Sequence, residues 1–141
     1  MAQLYQTSSK VIEAHVNNTS IRALSGSMIA YEGTISFKSA GFGGGSGIVA
    51  GLKQRATGEA LSLMECQGVG RVLLAVNAQH VTIIDVNNEQ LKVESRQLLA
   101  LAGNLQTNVT FAGLRGASSG QGLFTTVVSG QGQVALLRSE E

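Results

Sequence analysis

The sequence contains little of what stabilises or charges many small proteins. Its 141 residues include no proline and one cysteine, Cys66, so no disulfide can form within the chain. A single cysteine fits a reducing compartment and favours a cytoplasmic location. Charged residues make up only 13% of the chain, and the net charge is +1. So few charges leave much of the surface poorly solvated, which favours a surface covered by a partner or by another copy.

Other scarcities restrict the class of function. Six aromatic residues and a nearly neutral chain argue against nucleic-acid binding, which needs clustered basic and aromatic side chains. The N-terminal residues lack the apolar core of a signal peptide. The longest apolar runs, at 72–76 and 98–102, are five residues long, whereas a membrane-spanning helix needs about 20. We therefore expect a soluble or peripheral protein.

Glycine, by contrast, is abundant, with 18 residues. Short alternating apolar segments separated by turn residues predict about a dozen short strands, a spacing typical of a β-sandwich, a jelly roll or a β-helical barrel. Ile12, Ala14 and Val16 would share the buried face of one strand. Asn17-Asn18 and Asn87-Asn88 read as turns, and Glu32-Gly33 is interpreted as a break between two short strands, at 28–31 and 34–37. Residues 1–9 should be frayed, and 98–101 form a strand or a short helical turn.

One stretch occurs twice, at 51–76 and at 113–138, and the copies align without a gap. Turn glycines and alternating apolar residues recur, while acids, bases and nucleophiles do not. Gly68-Val69-Gly70 is interpreted as the turn of a strand pair, as is its counterpart at 130–132. Cys66 corresponds to Val128, which indicates a small apolar core position. We predict one all-β domain over 1–141, built from two similar halves at about 10–76 and 77–138.

The stretches assembled above resemble a known family, the Altered Inheritance of Mitochondria protein 24 or mitochondrial-biogenesis family. They read GSMIAYEGTISF (26–37), GFGGGSGIVAGL (41–52), GEALSLMECQGVGRVLLAV (58–76), RQLLAL (96–101) and GQGLFTTVVSGQGQVALL (120–137). The resemblance implies a duplicated, shortened double-stranded β-helix similar to the unit of the trp RNA-binding attenuation protein. It also implies no known enzymatic activity, and it supplies no catalytic motif.

The glycine-rich loop at 39–51 is the one low-complexity stretch. Its backbone N–H groups at Gly43, Gly44 and Gly45, with Lys53 and Arg55 beyond, could bind an anion. The P-loop pattern is incomplete, however, so a mobile or packed loop is the favoured interpretation. The apolar residues of this loop, next to those cations, could instead contact a membrane surface or a protein partner, or simply cap the end of the barrel.

His15 and His80 lack the paired spacing of metal ligands, so exposed or turn histidines are favoured over a metal site. Cys66 has no base beside it in sequence, as a nucleophile would need. We predict neither catalytic residues nor a cofactor. The favoured function is a non-enzymatic structural or protein-interaction module that forms a homo-oligomer. A small-ligand or anion-binding protein using the glycine-rich loop is the alternative, and a cryptic hydrolase is the least favoured.

Overall fold

A computed structural model describes residues 2–39, 63–111 and 124–138. Almost all of them lie in antiparallel strands, which confirms the all-β class. The strands are β1 (Gln3–Ser8), β2 (Val11–Leu24), β3 (Met28–Ser39), β4 (Leu63–Leu74), β5 (His80–Glu94), β6 (Leu98–Phe111) and β7 (Phe124–Arg138), with a single 3-10 turn at Ser95–Gln97. They form one sheet in the order β3-β4-β2-β6-β7-β5, and β1 pairs with β2.

Within the described ranges, the strands are fewer and longer than predicted, because the glycines of the repeated stretch do not turn the chain there. β4 runs without a break through Gly68 and Gly70, and β7 runs through Gly130 and Gly132. The predicted strand pairs around these glycines are therefore wrong. A Cβ on Gly70 would lie 2.1 Å from the carbonyl oxygen of Glu32 on the adjacent strand. The glycines are required because neighbouring backbones approach too closely for any side chain.

The predicted asparagine turns are wrong for a related reason. Asn18 and Asn88 adopt positive φ angles of 57° and 55° inside β2 and β5. The pairing register with the neighbouring strand shifts at each of them, which marks a β-bulge. Asparagine tolerates the left-handed conformation better than most residues, so it serves equally well in a turn and in a bulge. Sequence alone does not distinguish the two uses.

The N-terminal segment is also ordered rather than frayed. Residues 3–8 form β1, which pairs with the first half of β2. The buried side chain of Leu4 holds β1 in place. Its backbone N–H donates to Gln133 Oε1 at 2.8 Å, and Gln133 Nε2 donates to the Leu4 carbonyl at 3.3 Å. Ala2 and Leu4 are the buried apolar residues of this segment, and two alternating positions are too few to mark a periodic pattern, so this strand was missed.

Two groups of three strands share the same pairing pattern. In β3-β4-β2, Gly33 lies opposite Gly70; in β6-β7-β5, Gly103 lies opposite Gly132. The bulges of β2 and β5 occupy corresponding places as well. The outer strands correspond at a spacing of 70 residues, as Gly33 and Gly103 show, and the middle strands β4 and β7 correspond at 62. The division into halves at about 10–76 and 77–138 stays a prediction, which these matching registers support.

The core lies in two clusters. The first contains Ile12, Ala14 and Val16, which confirms their predicted common face, together with Cys66. The second contains Val128 and the inner side chains of β5, β6 and β7. The apolar run at 98–102 is buried throughout. It is a strand and not a helical turn, because it lies in the middle of the sheet with both faces covered.

Candidate functional site at the edge strand β3

Strand β3 is the most exposed long strand among the described residues. It lies at one end of the sheet, and its described hydrogen-bonding neighbour is β4 alone. Nine of its 12 residues are exposed. Two of these side chains are large and apolar, Ile29 at 57% exposed and Tyr31 at 50%. A long unpaired edge that carries apolar side chains is a surface ready to pair with another strand.

The side of β3 that faces the core carries a row of apolar side chains. Tyr31 and Phe37 meet edge to face across Gly33, with ring centroids 5.0 Å apart and an interplanar angle of 70°. Phe37 and Ile35 pack against the first core cluster, while Tyr31 stands half exposed at its margin. The core therefore continues to the open edge instead of ending beneath a polar rim.

A polar cluster crosses the neighbouring strands on the opposite side, and consists of Tyr5, Glu13, His15, Glu32 and Arg71. Arg71 Nε donates to Glu32 Oε1 at 2.6 Å, and Arg71 Nη1 lies 3.7 Å from Glu13 Oε1. The hydrogen bond to Glu32 and the two carboxylates raise the pKa of Arg71. His15 Nε2 contacts the Glu13 carboxylate, and its ring lies 4.6 Å from that of Tyr5.

This polar cluster links four strands, three of them by ion pairs and the fourth by a contact between two rings. Arg71 on β4 connects Glu32 on β3 to Glu13 on β2, and His15 continues the chain of contacts to Tyr5 on β1. A depression of about 140 Å³ lies beside it, lined by Glu13, Ala30, Tyr31, Glu32, Arg71 and Leu73. Because the guanidinium already faces both carboxylates, the cluster is suited to holding the edge strand in register more than to binding a further ion.

Cys66 is fully buried in the first core cluster, and Val128 is equally buried at the corresponding place in β7. The prediction of a small apolar core position is confirmed. Burial, with a smaller contribution from Glu65, raises the pKa of the thiol to about 11. The side chain is therefore a neutral thiol at physiological pH and is shielded from reagents in solution.

The anion site predicted from the sequence cannot be compared with this edge. Gly43, Gly44, Gly45, Lys53 and Arg55 lie outside the described residues. The two histidines have separate surroundings, His15 on β2 in the polar cluster and His80 at the start of β5. Within the described ranges, no group of three or more His, Cys, Asp or Glu side chains is arranged to hold a metal ion. The same ranges contain no helix long and apolar enough to span a membrane.

Sequence reasoning missed both the edge and the polar cluster. It divided β3 into two short strands at Glu32-Gly33, although Gly33 is a positive-φ residue within one continuous strand. The five residues of the polar cluster come from four strands, so no local spacing connects them. The one available signal was Met28–Phe37 itself, an alternating apolar stretch with few charges to discourage pairing.

A family model described as "Mitochondrial biogenesis AIM24" matches residues 2–141 of the sequence. The chain belongs to this family. Among solved structures, a protein from Streptococcus pyogenes has a similar fold, with a TM-score of 0.71 at 19% sequence identity. The match covers 99% of this chain and 64% of that one, so the chain spans under two thirds of the length of its structural neighbour. A search of curated proteins finds no match.

Membership of the AIM24 family confirms the resemblance drawn from the sequence motifs. The likeness to the streptococcal protein supports the fold alone, because the identity between the two chains is low. The expected likeness to the unit of the trp RNA-binding attenuation protein stays a prediction. The exposed edge of β3 is therefore the feature of this AIM24-family chain that points to a function.

Proposed function

We propose that this chain is a non-enzymatic structural or protein-interaction module that self-associates through the edge strand β3. The observation that carries the proposal is the open edge itself. The described sheet ends at a strand of 12 residues. In this strand the side chain of Ile29 is 57% exposed and that of Tyr31 is 50% exposed. Such a strand gains backbone hydrogen bonds and buries apolar surface when another strand pairs with it.

The composition of β3 supports a covered edge. Monomeric proteins protect free edges with proline, inward-pointing charges, several lysines or very short strands. Here the strand is long, and Lys38 lies at its far end, where it pairs with Glu65 at 3.2 Å. Glu32 is held by Arg71 within the polar cluster. Neither charge opposes an approaching strand over the stretch that contains Ile29 and Tyr31.

The chemistry of the described residues favours a non-enzymatic role. The single thiol is buried and carries a proton at neutral pH, which removes the strongest nucleophile of the chain. Glu13 and Glu32 both face the Arg71 guanidinium, so each of these carboxylates has an ion-pair partner within the protein. These residues have a structural use that accounts for their positions.

The test is light scattering coupled to size-exclusion chromatography at micromolar concentration. We expect a defined oligomer for the unaltered chain and a monomer for Ile29→Lys. The new lysine charge would lose its water when β3 pairs with a strand of another copy. Val69→Lys is the matched control, since Val69 is similarly exposed, at 46%, but lies on the inner strand β4. A clean monomer for the unaltered chain at tens of micromolar would refute self-association.

The alternative function, binding of a small ligand or anion by Gly43, Gly44, Gly45, Lys53 and Arg55, stays a prediction. A cytoplasmic location, a further protein partner and contact with a membrane surface stay predictions as well. Native mass spectrometry of the purified chain tests the ligand hypothesis. A co-purified anion lost in a Lys53→Ala/Arg55→Ala variant would support it, and a bare chain with unchanged melting across a nucleotide panel would contradict it.

A further inference from the structure

The two three-stranded groups are joined head to tail within the chain. In the described residues, the joint consists of three antiparallel pairs between β2 and β6, namely Ile21 with Ala102, Arg22 with Leu101, and Ala23 with Ala100. These two strands are not equivalent. By its register, β6 corresponds to β3, and β2 corresponds to β5. The internal joint therefore connects a strand of the β5 type to a strand of the β3 type.

The same relation leaves one strand of each type at the ends of the sheet. β3 ends one side, and β5 ends the other. The end strands of a single chain are thus of the two kinds that already pair with each other inside it. An interface between unlike surfaces is heterologous, so repeating it adds copies in one direction and does not close a two-fold dimer.

We infer that copies of this chain join head to tail, with β3 of one copy pairing with β5 of the next in the register of the internal joint. The three expected pairs follow when 70 is subtracted from the residue numbers of β6 and added to those of β2. They are Glu32 with Leu91, Tyr31 with Lys92, and Ala30 with Val93, the second residue of each pair belonging to the next copy. This inference rests on the proposed function, since it names the partner and the geometry of the same β3 edge.

Exposure at equivalent positions supports the assignment. Leu99 and Leu101 of β6, which lie at the internal joint, are 0% and 2% exposed. Their counterparts at the open edge, Ile29 and Tyr31, are 57% and 50% exposed. Both Ile29 and Leu99 lie at the same register shift, in β3 and in β6. The chain thus places large apolar side chains where the internal joint buries them, although in β3 no described strand covers them.

A basic residue occupies the corresponding place in each β5-type strand. Arg22 of β2 reaches across the internal joint, where its Nη2 donates to the Leu105 carbonyl at 2.7 Å. Its Nη1 donates to Thr107 Oγ1 at 3.4 Å. The counterpart of Arg22 in β5 is Lys92, which is exposed. At the joint between copies, the Lys92 ammonium would lie near the Ile35 carbonyl, the counterpart of the carbonyl that Arg22 contacts.

Along the part of β5 that this geometry needs, β7 is the only described strand that pairs with it, so one backbone edge is open among the described residues. β1 approaches β5 at its beginning, where Val81 N–H donates to the Ser9 carbonyl at 2.9 Å and Gln6 Nε2 donates to the Val81 carbonyl. Leu91, Lys92 and Val93 lie at the other end of the strand and pair with β7 on one side. β2 shows the same division, since β1 pairs with its first half and β6 with its second.

Disulfide trapping tests the register directly. In a Cys66→Val background, a Tyr31→Cys/Lys92→Cys variant is oxidised with diamide and separated on a non-reducing gel. Opposed residues on antiparallel strands have Cβ atoms about 4.5–5.5 Å apart, within reach of a disulfide after small adjustments. We expect a ladder of covalent multimers from the double variant and none from either single variant. Tyr31→Cys/Asn87→Cys is the control, because Asn87 lies about 17 Å along the same strand.

The outcomes separate the geometry from the proposed function. Cross-linked dimers from Tyr31→Cys alone would indicate symmetric β3 pairing and overturn the head-to-tail geometry, while leaving self-association intact. If light scattering shows an oligomer but oxidation of the double variant yields no ladder, the head-to-tail geometry is overturned as well. Lys92→Glu should weaken association about tenfold or more through loss of a charge-assisted hydrogen bond, whereas Arg138→Glu, at the exposed end of β7, should not. A monomeric parent chain would refute the proposed function itself.

Discussion

Replacing Gly132 with alanine tests whether the strands must approach as closely as the structure shows. Gly132 lies in the middle of β7 opposite Gly103, and a Cβ built on it would be 2.1 Å from the Ala102 carbonyl oxygen. Real Cβ atoms almost never come closer than 3.0 Å to such an atom. Because the obstacle is backbone, the clash is relieved only when β6 and β7 move apart.

The size of the effect follows from that separation. Moving two strands apart by roughly 1 Å weakens the two or three ladder hydrogen bonds nearest the glycine, each contributing about 0.5–1.5 kcal/mol net. We therefore expect Gly132→Ala to lower the free energy of unfolding by about 2–4 kcal/mol. This is a large part of the roughly 5–15 kcal/mol typical of a domain.

Two further glycines separate the clash from backbone strain. Gly26, between β2 and β3, has a φ of +87° and nothing within 4 Å of a built Cβ, so Gly26→Ala should cost only about 1–2 kcal/mol of strain. Gly70 combines a φ of +150° with a carbonyl oxygen at 2.1 Å. Gly70→Ala should therefore be the most destabilising of the three.

Urea unfolding followed by circular dichroism measures all three variants, with the midpoint reporting stability and the slope reporting compactness. We expect the order Gly26→Ala, Gly132→Ala, Gly70→Ala, from least to most destabilised. A Gly132→Ala variant within about 0.5 kcal/mol of the parent would refute it. That result would show that β7 accommodates a side chain at this position, and that the close approach is not what requires glycine.

Three other predictions concern the core, the internal joint and β1. Burial raises the pKa of Cys66 from 9.0 to about 11, so between these pH values the folded state holds a proton that the unfolded state loses. The free energy of unfolding should therefore fall as pH rises across that interval, and it should fall less in Cys66→Val. Arg22→Gln should cost about 1–2 kcal/mol by removing the hydrogen bond to β6, while the unfolding midpoint of Arg138→Gln, at an exposed position at the end of β7, should stay near the parent's. Leu4→Ala should cost about 2–4 kcal/mol because Leu4 is buried, and Tyr5→Ala clearly less; equal losses would contradict the role of Leu4 in holding β1.

The alternation of apolar residues was sufficient to predict the strand class and several buried faces. Ile12, Ala14 and Val16 lie inward as expected, because a strand places alternate side chains on opposite faces whatever its neighbours are. The match of Cys66 to Val128 was likewise readable from the repeated stretch, since both positions need a small apolar group. The family followed from motifs that extend over most of the chain.

The structural role of the glycines and asparagines could not be predicted from the local sequence. Both residue types permit positive φ, and a turn, a bulge and a close strand contact all use that freedom. Gly68 and Gly70 look like a hairpin until the carbonyl oxygens of Thr34 and Glu32 are found beside them. Those atoms belong to residues more than 30 positions away, so local sequence holds no record of them.

The sequence by itself therefore determined the periodicity of the strands, the apolar faces and the repeated pattern, all of which depend on residues close together in the chain. Only the tertiary structure decided which strand ends the sheet. Ile29 and Leu99 are both apolar residues in apolar stretches, yet one is exposed and the other fully buried. In the described part of the chain, a second strand pairs with β6 beside Leu99 and none pairs with the outer edge of β3 beside Ile29. Local sequence does not predict this difference, because strand pairing depends on backbone groups that every residue carries.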